Sequence, residues 1–332
     1  MVNSDHRMRK LFFILSIFII CQHVTVLAGK RSIGNISFKT ISGKHDPDPE
    51  PYADFTTLVV PIKRAGNLII VEAQVDSLEG NFVLDTGAPG LVLNETYFRY
   101  LPNIDDQEAA GINGGSAGSF TTYVRNFKIL DLQYSRLTAH VTDLSFIENG
   151  RNIKILGLLG TRLFSKFAIT VDLFKNVLYI QKLDKGGNIP ESERVFHDRL
   201  LVSQFSFLND VIFLKGTINN NNLWFAFDSA AETNLLDYDR VKKIIASMQI
   251  INRTKLTGVG GSSFEVLYAR FDELTVADHI FTKNRTLIAN LEKMGKAYGH
   301  TVDGILGYDF FARGVFTINF VKKEFEMYIY NN

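Results

Sequence analysis

The chain has 332 residues, of which 46% are apolar and 12% aromatic, enough to bury a core in two lobes. Its 36 basic and 35 acidic residues leave a net charge of +1, and no basic run lies beyond the extreme N-terminus, so nothing in the composition supports a nucleic-acid partner. The single cysteine, Cys21, excludes a disulfide framework and Cys-ligated zinc.

His6, Arg7, Arg9 and Lys10 precede an apolar run from Leu11 to Ile20, and Val26-Leu27-Ala28 closes it with a small residue. Residues 1–28 therefore read as a secretory signal peptide cut near Ala28-Gly29, with a retained membrane anchor as the competing reading. Export would place the chain in a periplasm or outside the cell. Lipid attachment at Cys21 is disfavoured by the bulky Ile20 before it. Residues 29–56 read as a tether, because Lys44-His45-Asp46-Pro47-Asp48-Pro49-Glu50-Pro51 lacks apolar residues and is stiffened by three prolines. Asn35, Asn94, Asn252 and Asn284 stand in Asn-x-Ser/Thr sequences, acceptors for glycans only in a eukaryotic secretory pathway.

From residue 57 the pattern is mostly strand. Thr57 to Ile62, Leu68 to Val75 and Asn81 to Leu84 are short β-rich runs, and the third ends in Asp85-Thr86-Gly87-Ala88. Pro89 holds Ala88 to an extended backbone. A short helical stretch follows Asn94, with Tyr97, Phe98 and Leu101 on its apolar side. The Gly-rich Gly111 to Phe120 comes next, containing Gly114 and Gly115, then a strand to Leu130, then Gly157-Leu158-Leu159-Gly160. A strand-turn-strand pattern from Ala168 to Ile180 completes a first unit, 57–182. A charged, Gly-containing linker, 183–198, leads to a second unit, 199–332. There Val211 to Ile218 precedes Trp224-Phe225-Ala226-Phe227-Asp228-Ser229-Ala230-Ala231. A helix is expected from Tyr238 to Met248, capped by Asp237, since Val241, Ile244, Ile245 and Met248 share a face. Thr257 to Phe264, with Gly258, Gly260 and Gly261, is followed by Asp303-Gly304-Ile305-Leu306-Gly307 and a last strand pair, Gly314 to Ile329.

The two units repeat one another. Asp85 and Asp228 are 143 positions apart, the phenylalanines ending the Gly-rich segments 144, and the apolar-apolar-Gly segments 147. With Leu68 to Val75 answered by Val211 to Ile218, also 143 apart, four ordered matches with so little drift make the chain two copies of one unit.

Two Asp-(Thr/Ser)-small loops, each followed by a Gly-rich segment and an apolar-apolar-Gly element, resemble the aspartic proteases over about residues 57 to 330. The closest likeness is to the retropepsin-like group, with two units fused as in the bilobal pepsin architecture. This implies an all-β, two-lobed fold of β-barrel-like units with few short helices. It implies Asp85 and Asp228 as a catalytic dyad in the cleft between the lobes, without metal, cofactor or covalent intermediate. Thr86 and Ser229 would hold the two loops together, flanked by Gly87 and Ala230. Gly157 and Gly304 would let a second segment pass beneath each loop. Gly114, Gly115, Gly258, Gly260 and Gly261 would belong to flaps closing over an extended peptide or unfolded-protein substrate. With both lobes in one chain, a monomer is expected.

The chemistry explains these residue types, since amide hydrolysis by water needs a base to activate the water and an acid to protonate the product. Two carboxyls held close cannot both ionise, so the pair keeps one proton. Aspartic proteases are the reference example of that split. Ala230 departs from the family pattern, which has Gly there. If its backbone needed positive φ, alanine would cost on the order of 1 kcal/mol or more and displace Asp228. A peptide-binding protein of the same fold without turnover, and a structural domain whose aspartates cap strands, are thus the alternatives. Tyr123 and Tyr268, just past the Gly-rich segments, fit cross-strand packing or substrate contact.

Other chemistries lack support. Gly114-Gly115-Ser116-Ala117-Gly118 matches a nucleophile elbow in spelling but not in context. His6, His23, His45, His140, His197, His279 and His300 form no i, i+4 pair, so a zinc site is not expected. The Gly-rich segments lack the Gly-Lys-Ser/Thr ending of a phosphate loop.

Overall fold

The computed structural model describes residues 12–13, 50–104, 119–149, 151–197, 201–244, 247–257, 263–292, 294–295 and 300–330. In the first lobe, period-2 alternation makes Thr57–Ala65 a strand with Leu58, Val60 and Ile62 inward. It pairs antiparallel with Leu68–Val75, which pairs antiparallel with Leu78–Leu84. Phe82, Val83 and Leu84 are all buried, against the usual alternation, because apolar clusters cover both faces of the sheet here. Leu78–Leu84 then runs parallel to Gly157–Leu159, the next strand being Leu91–Asn94. The second lobe repeats the arrangement. Val211–Ile218 pairs with Asn221–Phe227, which runs parallel to Gly304–Leu306 and is followed across the sheet by Leu235–Asp237.

A shared sheet joins the copies. Phe167–Asp172 pairs with Val177–Lys182 on one side and with Gly314–Asn319 on the other, and Glu324–Ile329 and Leu201–Gln204 extend it. Thr170 and Thr317 meet hydroxyl to hydroxyl at 2.7 Å. The division at 183–198 therefore separates two halves of sequence but not two sheets. Within that stretch the chain forms a 3₁₀ turn at Glu191–Glu193 and buries Ile189. The largest apolar cluster spans both lobes, with Phe227 against Phe316 and Phe325 at 5.3 and 5.2 Å between ring centroids.

Three expectations are corrected. The helix after Asp237 covers only Tyr238–Val241, and Met248 opens the strand Met248–Thr257. Asp237 does cap it, accepting from the Asp239 N–H at 3.0 Å. The strand prevails because β-branched Ile250 and Thr254 pair along Ser263–Val276, opposite Ala269 and Val266, where a helix would forfeit that ladder. The end of the supposed tether is docked: Pro51–Ala53 pairs with Leu132–Tyr134 in the first lobe. Asn94 and Asn284 are buried and hydrogen-bonded through their side chains, Asn94 as the cap of helix Glu95–Phe98, so neither can carry a glycan.

Candidate active site

Each aspartate leaves a buried strand at the same point of the repeated pattern. The Asp85 N–H donates to the Leu159 carbonyl and the Asp228 N–H to the Leu306 carbonyl, both at 3.0 Å. The strand therefore stays pinned to its parallel neighbour up to the acidic residue. Immediately after it the chain turns back, with the Ala88 N–H on the Asp85 carbonyl and the Ala231 N–H on the Asp228 carbonyl.

The two loops interlock through their hydroxyls. Thr86 Oγ1 donates to the Phe227 carbonyl at 2.9 Å and accepts from the Ser229 N–H at 2.9 Å. Ser229 Oγ donates to the Leu84 carbonyl at 2.8 Å and accepts from the Thr86 N–H at 3.0 Å. Four buried bonds related by a local twofold fix one loop against the other. A hydroxyl suits both positions because its single oxygen donates and accepts at once.

The carboxyls converge over Gly87. A Cβ at that residue would sit 3.0 Å from Asp228 Cγ and Oδ2 and 3.1 Å from Asp85 Oδ1, so any larger residue would press on both carboxyls. Asp85 Oδ1 accepts from the Gly87 N–H at 2.9 Å, and Asp228 Oδ1 accepts from the N–H groups of Ala230 and Ala231 at 2.8 and 3.1 Å. Asp228 Oδ2 is buried and receives no N–H donor, while the two carboxyls lie within hydrogen-bonding reach of each other. Burial pushes the Asp85 carboxyl up, against the pull of the Gly87 and Ala88 N–H groups. Burial and the neighbouring Asp85 charge push Asp228 well above the usual carboxylate range. The pair therefore favours a shared proton over two charges.

Ala230 is accommodated without strain. It is not among the residues with positive φ, and its methyl packs in the apolar cluster containing Ala65, Leu68 and Ala88 of the first lobe. Gly157 and Gly304 are sterically required, but they do not lie under the aspartate loops as expected. A Cβ on Gly157 would lie 2.1 Å from the Val92 carbonyl oxygen, and one on Gly304 2.6 Å from that of Leu235. The glycines beneath the loops are Gly160 and Gly307, whose Cβ would meet the carbonyl oxygens of Ala88 and Ala231 at 2.5 Å. The repeated apolar-apolar-Gly segments contained that signal.

Asn234, Glu232 and Arg151 also support the site, and no local sequence pattern marks them because their partners are distant in the chain. Asn234 Oδ1 accepts from the Gly307 N–H at 2.9 Å. Glu232, four residues past Asp228, forms a buried ion pair with Arg151 of the other lobe, and its carbonyl accepts from Asn67 Nδ2. Gly114, Gly115, Gly258, Gly260, Gly261 and Ser116 lie outside the described residues. Tyr123 stands opposite Thr138 with Arg136 over its ring, and Tyr268 stands opposite Leu287.

A family model described as aspartyl protease matches residues 71–163 and 214–310, one segment around each aspartate. No curated protein matches the chain. Among solved structures, the chain is similar to the aspartic proteinase from Irpex lacteus, with 11% identity, 82% of this chain and 97% of that one covered, and a TM-score of 0.48.

Proposed function

Since the chain belongs to the aspartyl protease family, we propose that it is an endopeptidase in which Asp85 and Asp228 together activate a water molecule. The observation that carries this reading is the convergence of two buried carboxyls on Gly87, held by the reciprocal Thr86 and Ser229 bonds. Asp85 is the more readily ionised of the two, because the Asp85 charge itself raises Asp228. In this reading Asp85 takes a proton from water as its oxygen attacks the scissile carbonyl carbon, and Asp228 gives its proton to the carbonyl oxygen. The tetrahedral diol then collapses as the C–N bond breaks: Asp85 gives the leaving nitrogen the proton it took from water, and Asp228 takes back the proton of one hydroxyl as the carbonyl re-forms, so the pair ends with its single proton. The substrate is an extended peptide or unfolded protein segment, and the N-terminal apolar run suits export to where such substrates occur.

A binder without turnover was favoured only by strain at Ala230. That residue's unexceptional φ and packed methyl remove the reason.

The test is digestion of a diverse peptide mixture between about pH 3 and about pH 8, beside Asp85→Asn and Asp228→Asn proteins. Bonds cut by the wild type and by neither variant support the dyad. Retained peptide affinity with no cutting at any pH replaces it with the binding protein.

A further inference from the structure

On the second lobe, the antiparallel pair Ser263–Val276 and His279–Ala289 sets Arg270 directly opposite Arg285. Like charges at facing positions repel and cost the sheet stability. The fold does not require them. Counted from where each hairpin joins its neighbour, Gln74 with Lys128 in one lobe and Thr217 with Thr275 in the other, the first-lobe counterparts are Tyr123 and Thr138.

The two arginines line a surface pocket of about 370 Å³ together with Lys283, the neutral donors Ser247 and Gln249, and one acid, Asp272. On the neighbouring strand Met248–Thr257 a cation has its carboxylate, as Arg253 has Glu265 at 3.8 Å. Arg270 makes no ion pair or hydrogen bond among the described residues. Arg285 acts on Asp309, but that carboxylate is shared with Arg313 and already accepts from the Thr233 hydroxyl at 2.5 Å. Arg313 is committed to the carbonyls of Asp309 and Thr282, at 3.0 and 2.9 Å. Three cationic groups, Arg270, Arg285 and Lys283, thus line the concavity with one carboxylate, Asp272, and Arg270 has no carboxylate of its own among the described residues. The pocket backs onto the loop that follows Asp228, because Asn234 Nδ2 donates to the Arg285 carbonyl.

We propose that this pocket is a binding site for a phosphate- or sulfate-type oxyanion, gripped by Arg270 and Arg285 with Lys283 adding charge. Planar guanidinium forks match the paired oxygens of such a group, and a dianion would balance the excess charge. The anion arrives either free or carried on a phosphoserine side chain. Binding here requires no turnover at the aspartates.

Calorimetric titration of the full chain with inorganic phosphate, and separately with a phosphoserine peptide and its serine counterpart, tests this at low ionic strength. Saturable binding is expected, weakened about tenfold or more by Arg270→Ser and further by Arg270→Ser with Arg285→Ser, and unchanged by Arg253→Ser. Preference for phosphate alone or for the phosphopeptide identifies the source. The single Arg270→Ser protein keeps the test readable if the double variant folds poorly. Absence of saturable binding of both phosphate forms would overturn the proposal. So would affinity insensitive to Arg270→Ser, equal loss with Arg253→Ser, or equal affinity for the serine peptide.

Discussion

Replacing Asp85 by asparagine should stabilise the protein at neutral pH and leave it unchanged in acid. In the folded chain burial pushes the Asp85 carboxyl from 3.8 up to about 7. The unfolded chain releases that proton near pH 4, whereas the folded chain holds it. Below about pH 4 both states are protonated and the group contributes nothing. Between about pH 4 and about pH 7 the unfolded state ionises first, so stability falls as pH rises, and above that the loss is complete. At 1.36 kcal/mol per tenfold change in proton affinity, the full loss is on the order of 4 kcal/mol. The substituted amide has no proton to release, and its carbonyl oxygen can still accept from the Gly87 N–H. The variant should therefore gain about 2 to 4 kcal/mol over wild type at pH 7, about 3 to 6 °C in Tm for a chain of this size. Urea or thermal denaturation of both proteins across that range measures it. Parallel stability curves from pH 4 to pH 8 would refute the reasoning, since they would mean that Asp85 ionises as freely in the folded chain as in the unfolded one.

Thr86→Val strips the Ser229 N–H of its acceptor and the Phe227 carbonyl of its donor, a loss of about 2 to 4 kcal/mol in urea unfolding. Gly157→Ala forces a methyl against the Val92 carbonyl and should cost about 4 kcal/mol or leave the protein unfolded; near-wild-type stability would show that the strands can part there. Arg151→Met leaves Glu232 buried without its cation and should cost about 3 to 5 kcal/mol, much of it recovered when Glu232 is replaced as well. Equal losses in the single and double variants would show that the ion pair does not couple the lobes.

The duplication was legible because the strongest local rules repeat. An apolar run that ends in Asp and a hydroxyl residue, and an apolar-apolar-Gly segment, can each be matched to its copy without knowing any contact. The structure pairs them as that spacing implies, Phe82 with Gly157 and Phe225 with Gly304. The helix over Tyr238 to Met248 was misread because Ile244 and Met248 fit a helical face and a strand start equally well, and the ladder with Ser263–Val276 decides between them. The sheet joining the lobes was invisible for a similar reason. Nothing in Gly314–Asn319 says that its partner is Phe167–Asp172, about 150 residues earlier, rather than a strand of its own copy. Arg151 with Glu232, and Asn234 with Gly307, likewise depend on tertiary placement alone.

The account turns on Asp85 and Asp228 sharing one proton. Carboxyl-carbon NMR of aspartate-labelled protein, titrated from about pH 3 to about pH 9 and assigned with the two Asp→Asn variants, observes that proton directly. The account predicts two carboxyl signals that each report both steps, both steps above the ordinary aspartate range and the second further above it than the first. Two independent titrations near pH 4 would contradict it.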